Sequence, residues 1–167
     1  MEPKTVRRAD GVSPMHRHAN AASEMSNALV AGTTVLTLDG ALPVEFLSPG
    51  DRVITRDSGM AVLKDVRRRT IVAECVTIRA GSLGNTRPDR DATVPATQEI
   101  LIRDWRADAL FGKAQALVPA RRLVDGEFIR AAGKREVTLI ELVFDASHIV
   151  YADGLELASA APEMADA

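Results

Sequence analysis

The sequence predicts an all-β domain, and three observations carry the prediction. Its β-prone apolar runs are short, turn-forming clusters recur between them roughly every ten residues, and only two stretches can form more than an isolated helical turn. This spacing suits a sandwich, a barrel or another closed all-β fold, and it does not suit alternating strand–helix units.

Taken in order, Val35 to Leu38 is β-prone, Asp39-Gly40 is a turn dipeptide, and Leu42 to Phe46 returns apolar, which is the pattern of a hairpin. Ser48-Pro49-Gly50-Asp51 then turns the chain into Arg52 to Thr55, and Arg56-Asp57-Ser58-Gly59 turns it again into Met60 to Leu63. Further strands are expected at Val76 to Arg79, Ile100 to Arg103, Ala116 to Val118, Val137 to Phe144 and His148 to Tyr151. The two helical stretches are Asp104 to Phe111, which Asp104 can cap, and Pro119 to Val124, where proline fits the first turn.

The chain divides into a flexible arm over residues 1–26, a domain over 27–157 and a flexible tail over 158–167. The arm mixes Arg7-Arg8, Pro14 and His16-Arg17-His18 with small polar residues in no period of 2 or 3.6, so it offers little apolar surface to offset ordering entropy. The tail is Ala-rich with Pro162 and acids.

A formal charge of −2 spread over near-balanced acids and bases gives no field that would gather nucleic acid or an anionic membrane, and neither is expected as a partner. The densest basic run, Arg67-Arg68-Arg69, reads as a solvated strand end in preference to a phosphate patch. No window approaches the roughly 20 apolar residues of a membrane span, and no signal peptide is evident, so the chain reads as soluble, in the cytoplasm or exported by another route. The single cysteine, Cys75, cannot form an intrachain disulfide.

Four blocks of residues resemble one family. Thr37-Leu38-Asp39-Gly40, Pro43-Val44-Glu45-Phe46-Leu47 and Gly50-Asp51-Arg52-Val53-Ile54-Thr55 follow the opening of bacterial Hint (hedgehog/intein) domains without a gap. Ile78-Arg79-Ala80-Gly81-Ser82-Leu83-Gly84, Leu117-Val118-Pro119-Ala120-Arg121-Arg122-Leu123-Val124-Asp125-Gly126 and His148-Ile149-Val150-Tyr151-Ala152-Asp153-Gly154 are similar to later segments of the same subfamily, in the same order. The resemblance covers roughly Asn27 to Leu157. It implies a horseshoe of short twisted strands with one or two helical turns. Its usual chemistry is an acyl shift, in which an N-terminal Cys or Ser attacks the preceding carbonyl while a histidine in a T-x-x-H block handles the proton.

The sequence departs from that pattern at the decisive positions. Four residues before Gly32, where the family carries its nucleophile, stands Ala28. Gln98, or Thr97 one step earlier, falls at the histidine position, and a glutamine can donate to an oxyanion but cannot move a proton near neutral pH. A terminal His-Asn pair is also lacking. The candidate site residues are therefore Thr33, Thr97, Gln98 and His148, with Ala28 in the nucleophile's place; no metal or cofactor is implied.

Each candidate has a plainer reading beside it. Ser26, Thr33 and Thr34 carry hydroxyls near the right place, but Ser26 belongs to the arm and the threonines suit strand entry. His148 with Asp145 can form an acid–base pair, or His148 can simply bond its own hairpin turn. Cys75 reads as a buried inert thiol, and the His16 and His18 pair lacks a third metal ligand. Trp105 and Phe111 can anchor a partner, although capping the core is the plainer role.

Three functions remain open: a Hint domain without splicing or self-cleavage, kept as a binding or spacer module for another protein or its own flanking chain; a Hint domain that cleaves near residue 28 through a displaced Ser or Thr; and an unrelated all-β interaction domain. The sequence does not set the oligomeric state.

Overall fold

The computed structural model describes residues 27–84 and 87–162. The arm expected over residues 1–26 lies outside them, as do residues 163–167 of the expected tail.

Among the described residues, twelve strands, one short helix and two 3-10 turns are present, and the strands form two antiparallel sheets. The first sheet is a long ribbon, largely buried over residues 75–78 and 139–143 and mostly exposed between them. β1 (Leu29–Val30), β10 (Ile129–Val143), β6 (Asp65–Ile78) and β7 (Ala92–Pro95) lie side by side in that order. The second sheet runs β3 (Gly40–Pro43), β2 (Thr34–Thr37), β4 (Arg52–Thr55), β11 (Ile149–Ala152), β12 (Leu155–Ala158), β8 (Glu99–Ile102) and β9 (Ala116–Pro119), with β5 (Gly59–Val62) paired to β4. The helix α1 spans Trp105–Phe111; the Asp104 carboxylate accepts from the Arg106 N–H at 3.0 Å, and Gly112 closes it at φ 66°. Both are the capping chemistry the sequence offers.

The domain closes on itself. Val35 of β2 pairs with Ala152 of β11, and Leu29 of β1 pairs with Ile140 of β10. The main core packs Val35, Val53, Ile78, Ile100, Ile102, Ile129, Phe144, Val150 and Leu157 between the sheets. A second, smaller apolar cluster joins Ala28 and Leu139, with Val30, Ile71 and Val137 against them.

Several boundaries differ from the expectation, each for a physical reason. The apolar return after Asp39-Gly40 stops as a strand at Pro43, whose fixed φ of −58° leads into a 3-10 turn over Val44–Phe46. Val76 to Arg79 and Val137 to Phe144 are only the ends of β6 and β10, which pair from Asp65–Val143 to Ile78–Ile129 with a bulge between Ala131 and Gly133. The middle of that ribbon is mostly exposed, with only Ile71 and Val137 packed there against the small Ala28–Leu139 cluster, so its sequence shows little of the apolar alternation that marks a strand. Arg67-Arg68-Arg69 therefore lies inside a strand, not at its end: Arg67 meets Glu141 at 3.9 Å and Asp65 at 3.6 Å, and Arg68 donates to the Glu45 carbonyl. The unforeseen β7 ends at Pro95 and is a sheet edge, where a missing N–H is tolerated. The His148 strand begins at Ile149, and the second helical stretch is a 3-10 turn over Ala120–Leu123.

At the far end, order continues past residue 157: Ala158 closes β12, and Ser159 and Ala160 are buried. Trp105 is 68% exposed and does not cap the core; Arg106 covers one face of its ring, while the half-buried Phe111 packs against the core beneath Arg122. Among the described residues, no helix is long and apolar enough to cross a membrane.

Candidate functional site

The two ends of the domain meet at a site built from β1, the turn before β8 and the end of β12. Asn27 is its hinge pin. Its Oδ1 accepts from the Glu99 N–H at 2.9 Å, and its Nδ2 donates to Glu99 Oε1 at 3.0 Å and to the Ser159 carbonyl at 3.4 Å. Ala28 follows, 1% exposed, with its methyl group in the small apolar cluster beside Leu139.

Gln98 stands on the other side of Glu99 and is fully buried. Its Nε2 donates to the carbonyls of Glu99 at 2.8 Å and Ala158 at 2.9 Å, while Oε1 is buried with no hydrogen-bond partner. The side chain is thus a cross-tie between β8 and β12. Both its amide protons are committed to backbone, so no donor is left over for a developing oxyanion at the Asn27–Ala28 bond.

Ser159, just past the end of β12, presents a buried hydroxyl. It accepts from the His148 N–H at 2.9 Å and donates to the Ala160 carbonyl at 3.4 Å. Neither partner is a base, so nothing activates this oxygen.

The other candidates lie around this junction without entering it. Thr97 is half-buried in the β7–β8 turn, next to Gln98 in sequence. Thr33 is buried at the turn into β2; its N–H donates to the Val30 carbonyl and its own carbonyl accepts from Val44. It lines a polar hollow with Arg90, Thr93, Arg135 and Asp153. Thr34 accepts a hydrogen bond from Arg90 at 2.9 Å.

His148 is held through a partner that the sequence did not single out. Its Nδ1 donates to Asp57 Oδ2 at 2.8 Å, while Asp145, the expected orienter, approaches Nε2 only to 3.7 Å. Asp57 Oδ1 also accepts from the Ile149 N–H at 2.9 Å. Burial alone would raise the Asp57 carboxyl, but the bonds from Ile149 and His148 outweigh it and hold the group below its ordinary range. Ser58 Oγ lies 3.4 Å from the same Nδ1. A Ser-His-Asp relay needs the serine on one ring nitrogen and the carboxylate on the other, so these three residues do not form one.

Sequence reasoning missed Asn27, Glu99, Asp57 and Ser159. Asn27 sits in sequence at the arm's edge, and the other three carry no spacing signal because strand pairing brings them in from distant parts of the chain. Cys75 is buried in β6, and burial pushes its thiol above the ordinary range against a weaker pull from Arg135.

An all-β fold whose first and last strands converge on a buried junction defines the class as intein-like. The chain belongs to the Hint domain family, whose model matches residues 27–164. No curated protein matches it. Among solved structures, it is similar to a bacterial intein-like domain from Clostridium thermocellum, with a TM-score of 0.54 at 18% identity, over 80% of this chain and 98% of that one. It is also similar to the Msm DnaB1 intein splicing domain, with a TM-score of 0.53 at 13% identity over 78% and 98% of the two chains. The MchDnaB-1 intein gives 0.50 at 12% identity over 79% and 99%. At these identities the likeness concerns the fold.

Proposed function

We propose that this Hint domain neither splices nor cleaves itself, and that it serves as a folded binding or spacer module for another protein or for its own flanking chain. One observation carries the reading: the group next to the scissile-type bond is a methyl packed against Leu139, and Gln98 gives both its amide protons to backbone carbonyls. Acyl transfer needs an electron pair within about 3.5 Å of the carbonyl carbon and a group to move the proton, and these positions supply neither.

The test is intact mass of the purified full chain over days, with and without dithiothreitol. The expected result is a single unchanged mass in both. A fragment boundary at Asn27–Ala28 would overturn the reading in favour of a displaced hydroxyl such as Thr33, and a thiol-dependent fragment would identify an ester or thioester intermediate.

A further inference from the structure

On the face of the second sheet turned away from the main core, three arginines from separate parts of the chain converge on one carboxylate. Arg103, just after β8, grips Glu156 with two nitrogens, Nε to Oε1 at 2.8 Å and Nη2 to Oε2 at 3.2 Å. Arg87 reaches Oε1 at 2.8 Å from the loop before β7, and Arg56 reaches Oε2 at 3.3 Å from the end of β4. These contacts occupy the lone pairs of the single acid, while each guanidinium retains donors that none of them uses.

The layering is what separates this cluster from an ordinary ion pair. Glu156 lies at the floor with its side chain 3% exposed, whereas Arg56 and Arg103 keep 33% and 31% of theirs exposed and Arg87 keeps 17%. A solute arriving from water meets a rim of cations and never the acid. Three guanidinium charges over one carboxylate leave a surplus of two positive charges, and the shared acid forces the three cations close together. Arg87 Nε is itself buried without a partner.

We propose that Arg56, Arg87 and Arg103 form a binding site for a dianionic, tetrahedral oxyanion, either inorganic phosphate or a phosphate monoester. The surplus charge selects a dianion over a simple carboxylate, because a single negative charge would leave the rim half-neutralised. Guanidinium forks are matched to such oxygens, and Glu156 presets their positions, so little side-chain entropy remains to be lost on binding. The site is separate from the Asn27–Ser159 junction and stands whether or not the domain processes itself.

The experiment titrates inorganic phosphate, above neutral pH and at ionic strength held constant with chloride, into the full-length ¹⁵N-labelled protein while following the arginine Nε–Hε resonances. Saturable shifts at these three arginines in the millimolar range are expected. Arg56→Gln leaves Arg87 and Arg103 on Glu156 and so preserves the fold, and it should weaken binding at least about tenfold. Shifts that saturate with neither inorganic phosphate nor the monoester, or that are the same in Arg56→Gln as in the wild type, would overturn the proposal. The same assay with a phosphate monoester, glycerol phosphate, compares the two forms of the ligand, and saturable binding of either supports the site.

Discussion

Replacing Gln98 with methionine isolates what the glutamine amide contributes at the junction. The side chains are similar in volume, so the change removes Nε2 and Oε1 and leaves the packing nearly intact. Two buried carbonyls, of Glu99 and Ala158, lose their donor, at about 1–3 kcal/mol each. Against that, the partnerless Oε1 disappears, which returns about 1–3 kcal/mol of burial penalty. The expected net is a destabilisation of about 1–3 kcal/mol, or a fall in Tm of roughly 4–12 °C for a domain of this size. Urea denaturation with scanning calorimetry measures it, provided the denaturant slope stays constant. A variant as stable as the wild type would show that the cross-tie between β8 and β12 is not made, and with it would go the claim that Gln98 has no donor to spare.

The double change Ala28→Cys with Gln98→His returns a thiol and an imidazole to the junction. Slow scission at residue 28, accelerated by thiols and read by mass spectrometry, is expected, with loss of the imidazole alone slowing it about 10²–10⁴-fold; a folded, intact double variant would refute the placement of these two positions. The Asp57 carboxyl is held below its ordinary value of 3.8, so its bonds stabilise the fold above that pH and the stabilisation is lost as pH falls through the folded-state value. Asp57→Asn should therefore flatten the acid limb of a Tm–pH curve below about pH 4, leaving the slope near neutrality unchanged.

Much of the fold was legible because turn chemistry is local. Asp39-Gly40, Ser48-Pro49-Gly50-Asp51 and the Asp104 cap act within a few residues of themselves, and each stands where the sequence put it. The β6–β10 ribbon was half hidden, since its mostly exposed middle buries too few side chains to need an apolar alternation. Ala28 and Gln98 could be located by counting along family blocks, yet what Gln98 does there could not. Its partners are carbonyls, and a backbone carbonyl has no signature in sequence. The same holds for His148, whose bond to Asp57 spans 91 positions, and for Glu156, whose three cations arrive from β4, the loop before β7 and the end of β8.

The pairing of Leu29 with Ile140 and of Val35 with Ala152 has a consequence for how the chain is made. Of the described strands, β1 and β2 emerge first during synthesis from the N-terminus, and their partners β10 and β11 are followed only by β12. Until then β2 has only the β3 and β4 neighbours, and the edge destined for β11 stays unpaired, a surface prone to adding a foreign strand. Closing such long loops is slow by comparison with forming local hairpins. The domain therefore completes its sheets late in synthesis, and a nascent chain stalled before β11 exposes an edge on which chaperones and proteases can act.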